Sequence, residues 1–340
     1  MSEQAETFVV VNYNAARARA AWARVRRVLA ERGVRFEAHE ARGAGDAQTS
    51  ARAALRAGYR TIAAVGGDGT LGEVVSGFFE PEGEGVSDGA TMALAAAVWT
   101  PAPVNRAAAL AVLPAGTGND FARGLAGERA SLAGWLERLI EYGRRDDRDA
   151  QTATRAVDVL RGVIGDDARP FFCLNAATLG IGAEVAGRVA AQGRLARLFP
   201  GEARFALAAV PAVAGWRARR LSVRVDDAAA FECATNLVAV ANSPYAGGGM
   251  MFSPEARTDD GLLDVVTACR LTRRALVREM TRIHGGGHVK NPRVRIVRGA
   301  RVRIEHLTPA DALAVEADGD VRGHTPLEFR VLPAALNVVC

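Results

Sequence analysis

Short apolar runs alternate with longer stretches of helical periodicity in the first part of the chain. The apolar runs lie at residues 8–11, 61–65 and 110–113, and helical stretches lie at residues 15–32 and 47–57 and up to about residue 142. Strands separated by helices of this length predict βαβ crossovers and a parallel sheet. Between the second and third apolar runs, residues 80–109 are rich in Gly, Ala and Pro and predict an inserted surface segment.

The pattern changes after a polar and charged segment at residues 143–154, where we expect a domain boundary. Short β-like runs then follow at residues 157–160, 171–176, 221–225, 237–241, 263–268, 294–297 and 302–304, with helical interruptions at 183–216 and 273–283. This pattern predicts a β-rich, largely antiparallel domain. The expected domains are residues 1–149 and 150–328, with residues 329–340 returning to the first.

Composition and charge exclude several classes of protein. The 340 residues suit two domains, and 49% hydrophobic with 24% charged residues is a globular composition. The net charge of +5 suits anionic ligands or membrane surfaces and does not argue for nucleic acid. Four cysteines without CxxC spacing predict incidental thiols in a reducing compartment, and the N-terminus lacks the basic region of a signal peptide. We therefore expect a cytoplasmic protein.

The strongest chemical signal is GGDGT at residues 66–70, between a predicted strand and a predicted helix. Glycines at such a junction let backbone N–H groups approach phosphate oxygens, and the helix N-terminus adds a favourable field. Asp68 would repel phosphates unless a divalent cation lay between them, so the loop indicates Mg²⁺. The alternative is a tight turn in which Asp68 caps a helix.

A second glycine-bearing loop, LPAGTGNDFAR at residues 113–123, also joins a predicted strand to a predicted helix. Loops at the carboxyl ends of parallel strands face one crevice, where open α/β sheets bind ligands. Thr117 offers a hydroxyl group to a phosphate. Asn119 and Asp120 either cap the next helix or take part in the chemistry.

Both loops resemble those of the diacylglycerol kinase-like lipid kinases, a family that includes sphingosine, ceramide and bacterial lipid kinases. Later segments extend the resemblance over nearly the whole chain: FCLNAATLGIGAE at 172–184, GGG at 247–249, DDGLLD at 259–264, ADGD at 317–320 and LPAAL at 332–336. The resemblance implies an N-terminal parallel α/β nucleotide-binding domain and a C-terminal antiparallel β-rich domain for the acceptor lipid. It also implies an active site in the cleft between them.

The resemblance further implies the cofactors ATP and Mg²⁺ and a role for individual residues. Asp320, Asp68 and Asp120 are expected to be catalytic, with Asp320 as the base that accepts the proton of the lipid hydroxyl. The expected nucleotide-binding residues are Asn12, Gly66, Gly67, Asp68, Gly69, Thr70, Glu73, Gly116 and Thr117.

A structural Mg²⁺ in the second domain is also implied by the resemblance. Its expected ligands are the Asp260 carboxylate and the carbonyl groups of Arg257 and Leu262. The alternative is a turn in which Asp260 caps backbone groups.

Three departures from the family pattern bear on activity. Asp320 stands where the family usually has Glu, one methylene longer, and proton abstraction depends on reach. Residues 12–16 read NYNAA and lack the Pro and Gly of the usual turn, and Ala41 stands where Thr is frequent. These departures support one alternative, a lipid- or nucleotide-binding module with impaired catalysis.

The expected function is therefore an ATP- and Mg²⁺-dependent kinase that phosphorylates a hydroxyl group of a membrane lipid such as diacylglycerol. A second alternative is an NAD kinase-like enzyme, which shares the GGDGT loop. Arginines alternate along residues 293–304, and seven more accompany apolar residues between 183 and 220: Arg188, Arg194, Arg197, Arg204, Arg217, Arg219 and Arg220. They predict peripheral contact with the anionic inner face of a membrane, the alternative being a solvated basic surface. A homodimer is a further possibility.

Overall fold

The computed structural model describes residues 6–81, 101–126, 131–145, 152–165, 170–192 and 201–340, with only the backbone described for 190 and 201–206. Two compact units are present. The described residues up to Val159, together with Pro333–Cys340, form the first unit, and Leu160–Leu332 lie in the second.

The first unit is a parallel sheet with helices. Its strands are β1 (Thr7–Asn12), β2 (Phe36–Ala41), β3 (Thr61–Gly66) and β4 (Ala109–Pro114), in the order β2-β1-β3-β4. Its helices are α1 (Ala16–Glu31), α2 (Asp46–Arg56), α3 (Asp68–Ser76), α4 (Asp120–Ala126) and α5 (Leu132–Tyr142). The end of β17 (Leu327–Val339) joins this sheet parallel to β4. The predicted parallel α/β architecture is confirmed.

Burial explains which strands the sequence pattern predicts. Every residue of β3 and β4 is buried, and both strands are continuous apolar runs. In contrast, β2 lies at the end of the sheet order and reads FEAHEA, with one fully buried residue. A partly solvated edge strand needs no apolar run, and for this reason the apolar pattern misses β2.

The flanks of the predicted insertion at residues 80–109 pair with each other. Phe79 and Pro103 form an isolated β-bridge. The Val104 N–H donates to the carbonyl of Phe78 at 2.8 Å. Residues 82–100, which make up most of the predicted insertion, lie outside the described residues.

The second unit is built from antiparallel strands. The bounds of these strands are β5 Thr154–Ile164, β6 Pro170–Cys173, β7 Ala176–Gly180, β8 Arg219–Val225, β9 Phe231–Ala241, β10 Tyr245–Ala246, β11 Met250–Met251, β12 Leu263–Cys269, β13 Val294–Gly299, β14 Arg301–His306, β15 Ala314–Ala317 and β16 Asp320–His324. Their order along the sheet is β16-β15-β7-β9-β8-β14-β17, with β12 added to β9, β13 added to β12 and β6 paired with β5. The predicted antiparallel, β-rich architecture is confirmed.

Two apolar clusters organise this unit. One lies among the strands and includes Phe329 and Val302. The other lies between strands β7, β9 and β12 and three helices, α6 (Ile181–Ala190), α7 (Gly201–Gly215) and α8 (Arg273–Arg282). Among the described residues, no helix is both long enough and apolar enough to cross a bilayer.

Cys233 and Cys269 form a disulfide, with their Cα atoms 6.0 Å apart. The expectation that all four cysteines are thiols is therefore wrong for these two. Their 36-residue separation shows no motif, and it is the pairing of β9 with β12 that brings them together. Cys173 and Cys340 are free thiols.

Candidate active site

Asp68 begins helix α3 directly after strand β3, and its carboxylate reaches across to helix α4. The two carboxylate oxygens accept the N–H groups of Asp120 and Phe121, each at 3.1 Å. The first N–H groups of a helix have no partner within that helix, so a carboxylate there supplies both acceptors and favourable charge. Asp68 therefore caps α4, 52 residues away in sequence, rather than its own helix.

Thr70 is the contact between the first glycine loop and strand β1. Its hydroxyl oxygen accepts a hydrogen bond from the Asn12 amide at 2.9 Å, and the residue is 7% exposed. The Thr70 side chain lies against Gly66, where a Cβ would be 2.5 Å from its Oγ1 atom. Asn12, Gly66 and Thr70 are all predicted nucleotide-binding residues. The hydrogen bond between Asn12 and Thr70 and the packing of Thr70 on Gly66 fix the shape of the first loop.

The two glycine loops touch through their backbones. A Cβ on Gly116 would lie 2.4 Å from the Cα of Gly67, so a side chain at residue 116 would separate the loops. The Ala115 N–H donates to the carbonyl of Gly66 at 2.7 Å. The Asn119 side chain accepts the Gly116 N–H at 2.8 Å and so fixes the second loop. The prediction that both loops face one crevice agrees with this contact.

The crevice between the loops is lined by residues of both. Its lining includes Gly66, Gly67, Asp68, Pro114 and Asn119. Gly69 and Glu73 lie on the first two turns of α3, and Thr117 is exposed at the tip of the second loop. The predicted residues of this group are thus brought together by the carboxyl ends of β3 and β4.

The donor set at this crevice is compatible with Mg²⁺. The Asp68 carboxylate caps α4 through two amides and also belongs to the lining of the crevice. Asp120, 2% exposed, adds a second carboxylate at the same helix end. Mg²⁺ in kinases is typically held by one or two carboxylates together with substrate phosphates. Among the described residues, no cluster of three or more His, Cys, Asp or Glu side chains is suited to a metal ion.

In the second unit, Asp318 and Gly319 form the two-residue turn between β15 and β16. Both have positive φ, 48° and 98°, as a tight hairpin turn requires, and Asp-Gly suits such a turn. The buried Asp318 carboxylate accepts the N–H groups of Leu174 at 2.7 Å and Asn175 at 3.0 Å. We call Asp68 and Asp318 the clamp aspartates, because each holds two consecutive backbone N–H groups of another segment.

Asp320 has a different environment from the clamp aspartates. It begins β16, its side chain is 55% exposed, and its contact is an ion pair with Arg322 at 3.3 Å. A carboxylate that is solvated and held by one flexible cation can accept a proton from a substrate hydroxyl within reach. Of the carboxylates at this hairpin, Asp320 is therefore suited to act as a base.

Glu316 stabilises the hairpin turn through hydrogen bonds, a role that the sequence did not predict. Its carboxylate accepts the Thr178 hydroxyl at 2.6 Å and the Gly319 N–H at 2.5 Å. Burial raises the pKa of Glu316 to about 7, with the neighbouring carboxylates of Asp318 and Asp320 adding to the increase. The available signal was the spacing of three acids at alternate positions 316, 318 and 320.

At the predicted structural Mg²⁺ site, the guanidinium group of Arg298 binds the Asp260 carboxylate. Arg298 donates to one Asp260 carboxylate oxygen, and the Leu262 N–H donates to the other at 3.1 Å. Arg257 pairs with Asp259 at 3.1 Å. A guanidinium group already neutralises the Asp260 carboxylate in this arrangement, so an Mg²⁺ ion there would have to share the carboxylate with Arg298 or displace it, and the structural Mg²⁺ stays a prediction. The arrangement matches the alternative in which Asp260 caps the turn.

An apolar cavity of about 70 Å³ lies within the second unit, between helix α6, strands β9 and β12 and helix α8. Aliphatic, aromatic and methionine side chains make up most of its wall, with Glu279 and His288 as the polar exceptions. Glu279 accepts the Asn291 amide at 2.9 Å, and the His288 ring donates to the Phe252 carbonyl at 3.0 Å. The lining of the cavity is suited to an apolar group.

Comparisons with known proteins agree with this architecture. A family model described as the diacylglycerol kinase catalytic domain matches residues 6–148, and one described as the YegS C-terminal NAD kinase beta sandwich-like domain matches residues 176–340. A crystal structure described as a diacylglycerol kinase from Bacillus anthracis str. Sterne superposes with a TM-score of 0.64 at 18% identity, covering 100% of this chain and 98% of that one.

Two relatives bear the same name, "Probable lipid kinase YegS-like". The one from Pseudomonas aeruginosa is 34% identical over 304 residues, which cover 86% of this chain and 81% of the relative. The one from Xanthomonas axonopodis pv. citri is 28% identical over 316 residues, covering 91% and 88%. The chain therefore belongs to the YegS-like lipid kinases, with a diacylglycerol kinase catalytic domain, and it is a kinase.

Proposed function

We propose that this kinase transfers the γ-phosphoryl group of ATP, with Mg²⁺, to a hydroxyl group of a membrane lipid such as diacylglycerol, at the inner face of the membrane. The contact between the two glycine loops, Gly67 against Gly116, is the observation that carries the proposal. It gathers glycine backbone at the carboxyl ends of two parallel strands, the usual place for phosphate binding in α/β folds.

In this proposal the backbone of Gly66, Gly67, Gly69 and Gly116 approaches the phosphates of ATP. Glu73 and the Thr117 hydroxyl contact the nucleotide from the edge of the crevice. Asn12 and Thr70 hold the first loop in shape through their hydrogen bond. Mg²⁺, bound by Asp68 and Asp120, would neutralise the charge that develops on the phosphates during transfer.

Asp320 acts as the base toward the acceptor. The hydroxyl oxygen of the lipid forms a bond to the γ-phosphorus while the bond from that phosphorus to the oxygen bridging to the β-phosphate breaks. The hydroxyl proton passes to the Asp320 carboxylate, and ADP leaves. Arg322, paired with Asp320 at 3.3 Å, helps to position the carboxylate for the incoming hydroxyl group.

The apolar cavity supports a lipid as the acceptor. A small polar substrate needs no apolar lining, whereas an acyl chain requires an apolar surface along its length. With a volume of about 70 Å³ and an almost wholly apolar wall, the cavity has room for part of such a chain. We infer that part of one acyl chain occupies this cavity during the reaction.

The test is transfer of labelled phosphate from ATP to a lipid extract, with NAD as the competing acceptor and Asp320→Ala as the control variant. A labelled lipid identified by mass, lost in the Asp320→Ala variant, supports the proposal. Labelled NAD would indicate the NAD kinase-like alternative. Binding of ATP without transfer to either acceptor would indicate a module with impaired catalysis.

A further inference from the structure

From residue 207 to its end, helix α7 carries only apolar side chains on its outward face. Leu207 is 59% exposed and Val210 is 70% exposed, and the exposed residues Pro211 and Ala214 continue the same face. From residue 207 to residue 215 the helix has no polar side chain. A helix that is apolar on its inner and outer sides is typical of one that contacts a second apolar phase.

Helix α8 adds positive charge beside a further exposed apolar residue. Val277 is 51% exposed, and Arg273 and Arg274 lie exposed one turn before it. Neither arginine forms an ion pair with another residue in the described part of the chain, whereas Arg278 pairs with Glu279 at 3.1 Å. The outer side of α8 thus combines available cations with an apolar side chain.

The two helices lie together over one apolar cluster. Ala208 and Val213 of α7 and Leu276 and Ile283, in and just after α8, belong to that cluster, and the helices contact each other. Because their inner sides face the same cluster, their outer sides both face away from it. We call this surface the α7–α8 face; its members are Leu207, Val210, Pro211, Ala214, Arg273, Arg274 and Val277.

The strand arginines do not form a comparable surface. Three of them pair with acids: Arg298 binds Asp264 at 2.8 Å, Arg301 binds Asp227 at 3.0 Å and Arg303 binds Glu305 at 2.9 Å. Arg295 lies over the Phe231 ring, 4.8 Å from its centroid, and Ile296, 36% exposed, is the large apolar side chain that β13 exposes. Arg194 and Arg197, which the sequence also indicated, lie outside the described residues. The α7–α8 face instead joins two arginines without an acid partner in the described part of the chain to several exposed apolar side chains.

We propose that the α7–α8 face docks on an anionic lipid bilayer, with Leu207, Val210 and Val277 among the acyl chains and Arg273 and Arg274 at the headgroup phosphates. Apolar insertion and basic charge are the two signals whose combination gives stable peripheral binding. A second copy of this chain fits less well, because a symmetric interface would bring the same arginines of both copies together. The inference rests on the proposed function, since a lipid substrate must be drawn from a membrane.

Docking also places the lipid site near its supply. Met280 and Leu276 on the inner side of α8 line the apolar cavity, while Val277 lies on the outer side. One helix therefore separates the proposed bilayer contact from the proposed acyl-chain site. This arrangement lets a lipid pass from bilayer to cavity along a single element.

The apolar part of the face is tested by cosedimentation with vesicles in the absence of ATP. Wild-type protein should bind vesicles of 30% phosphatidylglycerol in phosphatidylcholine. The double variant Leu207→Glu/Val210→Glu should bind them at least about tenfold more weakly, because apolar insertion is lost and negative charge is added. Ala20→Glu, at an exposed position of α1, is the matched control and should bind like wild type.

The basic part is tested by Arg273→Gln/Arg274→Gln, with Arg24→Gln/Arg26→Gln on α1 as the control of equal charge change. Binding to the anionic vesicles should fall about tenfold or more in the first variant only, and added salt should remove most of the difference. Wild-type protein that does not bind anionic vesicles, or variants that bind as wild type does, would overturn the proposal.

Two further measurements separate docking from catalysis and from self-association. Phosphorylation of a water-soluble short-chain diacylglycerol should be unchanged in both variants. Absence of this activity in wild type would exclude diacylglycerol as the acceptor and would leave the vesicle result standing. Sedimentation analysis reports the oligomeric state. A wild-type dimer that becomes monomeric in Leu207→Glu/Val210→Glu with unchanged vesicle binding would contradict docking on a bilayer.

Discussion

Each unit holds a clamp aspartate, but what lies beside the clamp differs between the units. Asp68 caps helix α4 through two N–H groups, and glycine backbone surrounds it. Asp318 holds two N–H groups of the turn before β7, and a second carboxylate, Asp320, follows two residues later with its side chain 55% exposed. Under the proposed function, backbone groups would serve the phosphates in the first unit, whereas one exposed side chain would serve the acceptor hydroxyl in the second.

Removal of the first clamp should have the largest effect. Asp68→Ala should reduce turnover on the order of 10³ or more, because several kcal/mol of charge stabilisation at the phosphates is lost. It should also lower the melting temperature, because α4 loses its cap. Asp68→Asn keeps the size and one acceptor, so it should preserve most of the stability while turnover stays low.

Calorimetry and phosphate transfer on the same preparations distinguish the two roles of Asp68. If Asp68→Asn retains near-normal turnover, the residue is only a helix cap and its assignment to Mg²⁺ is wrong.

The second clamp should affect stability more than the first. Asp318→Ala leaves two N–H groups without their acceptor beside a buried position, at a cost of about 2–5 kcal/mol in the free energy of unfolding. Asp318→Asn should lose about half as much. Chemical denaturation measures both, with Asp227→Ala, whose side chain is fully exposed, as the control. Equal stability of Asp318→Ala and wild type would contradict the clamp.

Glu316 predicts a pH dependence of stability. Its pKa is about 7 in the folded protein and near 4.5 when exposed, so the folded state retains the proton longer. The contribution to stability is fully present below about pH 4.5 and is lost as the pH rises through about 7, by on the order of 3 kcal/mol. Glu316→Gln should remove this loss, whereas Glu305→Gln, a partly exposed control, should not.

Thermal melts at several pH values between 4.5 and 8 check this dependence. A Glu316→Gln protein that is no more stable, relative to wild type, at pH 8 than at pH 5 would refute the raised pKa.

The turn at Asp260 should show the smallest effect. Asp260→Ala removes an ion pair with Arg298 and a cap on Leu262, at a cost of about 1 kcal/mol or somewhat more. Because Arg298 already supplies the positive charge, EDTA should leave the melting temperature of wild type unchanged. A decrease with EDTA that Mg²⁺ reverses would instead restore the structural metal ion.

Local patterns predicted much of the fold and of the first unit's site. Apolar runs located β3 and β4 because both strands are fully buried. The two loops could be located because glycines follow each of these strands directly and a helical pattern begins after them. A junction of strand and helix is a local feature of the sequence. The clamp roles were not predictable in this way, because Asp68 and Asp318 bind backbone groups 52 and 144 residues away.

Other features escaped the pattern for similar physical reasons. The apolar run at 171–176 divides into β6 and β7 because residues 174 and 175 turn to donate to Asp318. The disulfide depends on strand pairing, and the cavity depends on helices packing over a sheet. Each is a tertiary contact that spacing along the chain does not encode.

The most direct test of the comparison is the rate of phosphate transfer by Asp320 variants of unchanged stability. Asp320→Ala should lower the rate by roughly 10²–10⁴ without changing the melting temperature, because it removes the base and no clamp. Asp320→Glu should keep a measurable rate, higher or lower than wild type according to whether the site suits the longer side chain. If both variants transfer phosphate at the wild-type rate, Asp320 is not the base and the division between clamping and reacting carboxylates is contradicted.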